Sequence, residues 1–71
     1  MPSPRPWLEE LTYEIAIWTA SGRIEEVLAR EGNLQVAVAA YQTALLVMPG
    51  RHVTLRQGTR VIRERKASGQ T

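Results

Sequence analysis

The sequence predicts an all-α fold, a small bundle of three to four helices over residues 6–20, 23–31, 33–48 and 54–66, with a β-hairpin as the alternative for the last. Three observations predict it. Trp7, Leu11, Ile15 and Trp18 recur at helical spacing and make one apolar stripe. Residues 34–48 are fifteen uncharged residues with apolar side chains on almost every side of a helical projection. Helix-stopping pairs, Ser21-Gly22, Gly32-Asn33 and Pro49-Gly50, divide the chain at helix-length intervals.

Prolines at 2, 4 and 6 keep residues 1–5 as an extended arm, because proline fixes φ and restricts the residue before it. Pro6 suits the first turn of a helix, where its missing N–H costs nothing. Leu8 widens the Trp7 stripe, and Glu9 and Glu10 fall where a carboxylate complements the helix dipole. In the second segment Ile24, Val27 and Leu28 share a helical face, and Glu26 and Arg30 form a favourable i, i+4 pair. Asn33 is placed to cap the third helix.

That third helix carries two stripes. Leu34, Ala37, Tyr41, Leu45 and Met48 make the first; Val36, Ala40, Thr43 and Val47 make the second. A helix apolar nearly all round is covered on more than one side, which points to the centre of the molecule and to a second chain.

The fourth segment reads two ways. As a helix it opens on Thr54 with Gln57 three residues on, a capping-box pattern, and groups Arg56, Arg60 and Arg63 on one side. As a hairpin it pairs residues 52–56 with 59–64 across a Gln57-Gly58 turn. Gln-Gly is a weaker hairpin signal than Asn-Gly, and the helix is preferred. Residues 67–71 read as a frayed end.

At 71 residues the chain is one domain, 1–71, with a core too small to be generous. There is no cysteine and only one histidine, so disulfides, thiolate metal sites and multi-His sites are excluded. The net charge of +2 conceals a split. Residues 1–50 hold three arginines against six glutamates, a balance of −3, while residues 51–71 hold six basic side chains against Glu64 alone, a balance of +5. The N-terminus lacks the apolar stretch of a signal peptide, and residues 34–48 are too short to span a bilayer, so no membrane association and a cytoplasmic location are expected.

Catalytic chemistry finds little footing. His52 reads as an exposed loop residue without an orienting partner. Glu9, Glu10 and Glu14, and likewise Glu25 and Glu26, read as solvated helix faces, and no glycine-rich phosphate loop is present. No enzymatic activity, cofactor, metal or small-molecule substrate is expected.

Gly32, Ala37, Tyr41, Ala44 and Pro49 fall at the spacing of glycine, small residue, aromatic, alanine and proline in the second helix of a tetratricopeptide repeat, which this stretch resembles. Over residues 21–49 the resemblance implies one helix pair, with Ile24 at the leucine position of the first helix; Ser21, Glu25 and Leu28 depart from its aromatic, small and tyrosine positions. Leu55 and Ile62 would fill large apolar positions of a following helix. One unit does not make the peptide groove of an array of three or more repeats. Residues 54–62 also resemble short uncharacterised bacterial proteins, to which no activity attaches.

The function this implies is a non-catalytic helical protein–protein interaction module that self-associates or docks on a larger protein. Trp7, Trp18, Leu34, Val36, Tyr41 and Val47 are the candidate apolar contacts. The alternative is a nucleic-acid-binding module that sets Arg56, Arg60 and Arg63 on phosphates, since a guanidinium donates two parallel hydrogen bonds to such oxygens.

Overall fold

In the computed structural model, which describes residues 12–68, the segment Tyr13-Glu14-Ile15-Ala16-Ile17-Trp18 is extended. It forms strand β1 (Tyr13–Trp18), followed by β2 (Ile24–Glu31), helix α1 (Leu34–Val47), β3 (His52–Gln57) and β4 (Arg60–Arg65). The strands make one sheet in the order β2-β1-β3-β4, and every neighbouring pair is antiparallel. The helix packs across one side of it.

The expected all-α helical bundle is therefore corrected to a four-stranded antiparallel sheet with one helix among the described residues. Within the expected helix 6–20, residues 13–18 are β1; residues 6–11 lie outside the described residues, as does the arm 1–5. Tyr13, Ile15 and Ile17 alternate with Glu14, Ala16 and Trp18, a period of two that puts the two sets on opposite sides of a sheet. Counting Ile15 and Trp18 into one helical stripe joined side chains that point apart.

The expected helix 23–31 is β2, although Glu, Leu, Ala and Arg all favour helix. The reason lies in β1. Ile15, Ala16 and Ile17 are essentially inaccessible, and buried amides need partners on both sides. β3 supplies one side, and β2 must supply the other, with Tyr13 opposite Glu31 and Ala16 opposite Val27. The presumed helix stop at Ser21-Gly22 is a hairpin turn. Thr19 and Arg23 close it with a 2.8 Å backbone bond, and Gly22 adopts φ 85°, a left-handed conformation that serves a turn as well as a helix end.

The expected helix 54–66 is likewise replaced by the β3–β4 hairpin, its turn relaxed by Gly58 at φ 61°. Val53 and Leu55 alternate with the polar residues of β3 and are fully buried beneath the helix. A register irregularity between Leu55 and Arg56 lets Val61 pair with Arg56 while Ile62 packs on the core.

The helix expected over 33–48 is present as α1. Asn33 caps it, its side chain accepting from the Val36 N–H at 3.1 Å. Ala37, Tyr41 and Ala44 face the sheet, the two alanines allowing close approach to Ile15, Val53 and Leu55. The C-terminal carbonyls are held from β4. Arg65 donates from Nη1 to Leu45 O at 2.9 Å, from Nη2 to Met48 O, and from Nη2 to Arg51 O at 3.0 Å. A guanidinium there satisfies orphan carbonyls and opposes the negative end of the dipole. Within the segment 67–71, the Ser68 N–H is bonded to Gly50 O at 3.0 Å; residues 69–71 lie outside the described residues.

Candidate interaction surface

The two sides of the sheet present different chemistry. Away from the helix, cross-strand register lines up Glu14 with Arg30 and Arg56, Ala16 with Val27 and Thr54, and Trp18 with Ile24 and His52. Glu14 accepts from Arg56 at 2.8 Å and from Arg30 at 3.2 Å. These contacts hold its carboxyl below the ordinary 4.5, the Arg56 hydrogen bond most of all, against the opposing pull of burial. Trp18, at the end of β1, donates from its indole N–H to Thr54 Oγ1 at 2.8 Å. Its ring stacks on His52 at 5.9 Å and carries the Arg56 guanidinium 5.2 Å from its centroid. Ala16 and Thr54 on this side are inaccessible, although among the described residues the one helix lies on the other side.

His52 is not a loop residue. It starts β3, and Glu64 of β4 lies 2.6 Å from its Nε2. The partner is invisible to sequence distance but close across the hairpin. Arg51 similarly bridges to Glu25 at 2.6 Å. The basic and acidic halves of the chain thus meet within one sheet.

The expected phosphate-binding arginines do not converge. Arg56 is on the side away from the helix, engaged with Glu14 and Trp18. Arg60 and Arg63 stand opposite Gln57 and Leu55, on the helix side. Of the expected apolar contacts, Trp7 lies outside the described residues, Trp18 forms the polar cover, and Tyr41 is buried at 6% exposure. Burial also raises the Tyr41 hydroxyl above its ordinary pKa. Leu34, Val36 and Val47 are accessible at the surface of α1.

Sequence reasoning missed Leu46. It is 83% exposed, beside Val47 at 65% and Val36 at 50%. A helical projection centred on Tyr41 would have found it, because Val36, Ala39, Thr43 and Leu46 fall opposite Ala37, Tyr41 and Ala44. Ala40, assigned by sequence to the same stripe as Val36, is half-buried; with Leu28, Ala29, Val47 and Met48 it lines an apolar groove of about 320 Å³ between the helix and β2.

Among the described residues no three His, Asp or Glu side chains gather as metal ligands, and no helix is long and apolar enough to cross a membrane. No protein-family model, curated protein or solved structure matches the chain.

Proposed function

We propose that this chain is a non-catalytic protein–protein interaction module that self-associates through the outward side of α1. One observation carries the reading: Leu46 and Val47 stand largely in solvent on a helix with no charged residue. An ordinary surface helix presents charged and polar groups there, and contiguous exposed apolar surface marks a contact site.

The sheet edges are poorer candidates. β2 carries two register irregularities and Glu25, Glu26 and Arg30; β4 carries one irregularity and three arginines. Bulges and charges are the devices that discourage a further strand from pairing. The side of the sheet away from the helix is already occupied by its own cross-strand contacts. The dispersal of Arg56 from Arg60 and Arg63 weighs against the phosphate-binding alternative.

The test is sedimentation of the wild type and Leu46→Glu across a concentration series. Leu46 makes little contact within one copy, so the variant should keep its fold. Placing an unpaired carboxylate in the contact costs several kcal/mol and should weaken association by roughly 100-fold or more. A wild type that stays monomeric at high micromolar concentration would overturn the reading.

A further inference from the structure

Self-association through α1 leaves open how two copies meet, and the outward residues of the helix carry information on that point. Val36, Ala39, Thr43 and Leu46 are spaced by three, four and three residues. That is the a, d, a, d seam of a helix pair, and all four are exposed. The seam is also nearly symmetric about its own midpoint. The two large side chains, Val36 and Leu46, stand at its ends, and the two small ones, Ala39 and Thr43, stand at its centre.

The geometry points to a two-fold dimer in which α1 packs antiparallel on α1 of a second copy, with Val36 against the second copy's Leu46 and Ala39 against its Thr43. The inference rests on the self-association reading above and specifies its partner and register. In an antiparallel pair each a position meets a d position, so both contacts form twice from one set of side chains, as a closed two-fold interface requires. The small central pair lets the helices approach, and the large end pairs fill the splay on either side. A parallel pair would set Val36 on Val36 and Leu46 on Leu46 and leave the centre lined by alanine and threonine alone.

Charge favours the same direction. The helix has no charged residue to select an acidic or basic partner, but its two ends differ. Glu31 precedes the N-terminal end, while at the C-terminal end the Arg65 guanidinium is bonded to the last carbonyls. Antiparallel packing brings the acidic end of one copy to the basic end of the other and opposes the helix dipoles. Parallel packing sets like against like. Because the seam points away from the sheet, the two sheets lie on the outside and neither obstructs the contact.

The chain contains no cysteine, so engineered thiols report the register directly. Val36→Cys and Leu46→Cys are made separately, their folds confirmed by circular dichroism, and each is oxidised alone and after mixing. A disulfide forms only where Cα atoms come within about 7 Å. In the antiparallel pair the two Val36 positions are separated by ten residues, roughly 15 Å along the axis. Val36→Cys alone should therefore stay unlinked, and the mixture should give the mixed 36–46 dimer as its main product. A nitroxide at Val36 read by pulsed dipolar spectroscopy gives a second measure, with a separation above roughly 15 Å expected. Efficient linking of Val36→Cys to itself, or a nitroxide pair in contact, would overturn the antiparallel register while leaving self-association intact. So would a dimer dispersed by Leu46→Glu in which the mixture fails to link. A wild type monomeric by sedimentation would remove both readings together.

Discussion

The two sides of this sheet reach the same degree of burial at their centres by different means. On the helix side Ile15, Val53 and Leu55 are covered by Ala37, Tyr41 and Ala44, a contact between separate elements with no charged side chain at its centre. On the other side Ala16 and Thr54 are equally inaccessible, and the described contacts are those of Trp18, held between His52 and Arg56 and tied to Thr54. The first cover is hydrophobic and non-directional, scaling with the apolar area removed from water. The second is a set of directional contacts between neighbouring strands, each small alone. The helix side should thus dominate stability, and the other side should tune it and respond to pH.

The sharpest way to break this contrast is Leu55→Ala. Removing a fully buried leucine should cost about 2–5 kcal/mol, enough to unfold much of the population of a domain this small. Urea denaturation followed by circular dichroism measures it, and a loss below about 1 kcal/mol would show that the helix is not the principal cover.

Trp18→Phe sharpens the other half. It keeps an aromatic ring beside His52 and deletes the donor to Thr54, whose buried hydroxyl then loses that bond; the expected loss is about 1 kcal/mol. A loss as large as that of Leu55→Ala would mean that the two covers are energetically alike.

The smallest effect belongs to Glu14. Its carboxyl is held below 4.5 in the folded protein, so its contribution is fully present above that value and is lost as pH falls through the folded pKa. Glu14→Gln should show a shallower decline in the urea midpoint between neutral pH and about pH 3 than the wild type. Identical declines in the two proteins would place the acid sensitivity elsewhere.

The parts legible from sequence are those set by neighbouring residues. The Asn33 cap, the helix that follows it, its end before Pro49-Gly50 and the turn residues Gly22 and Gly58 were visible because each answers a local steric or hydrogen-bonding demand. For the candidate surface, exposed Val36 and Val47 came from the apolar excess of α1, whereas Leu46 required knowing which side Tyr41 faces. β1 was legible in principle: four of its six residues, Tyr13, Ile15, Ile17 and Trp18, are β-branched or aromatic and carry a strand signal, but Ile15 and Trp18 also fit the helical spacing begun by Trp7 and Leu11.

β2 was not legible, because only Ile24 and Val27 of Ile24–Glu31 favour a strand and the other six residues favour helix. Its local preference is helical, and it is extended because β1 offers buried amides that only a second neighbour can satisfy. The same dependence on distant residues governs the charges. Glu14 finds Arg30 and Arg56, His52 finds Glu64, and Arg51 finds Glu25, pairings fixed by register rather than by sequence separation. Sequence by itself determined the helix α1, its cap, its lack of charge and the places where the chain turns, since these are properties of a few adjacent residues. Tertiary structure alone decided that the helix lies on a sheet, which of its sides is left in solvent, and where the arginines point, because those follow from which strands pair.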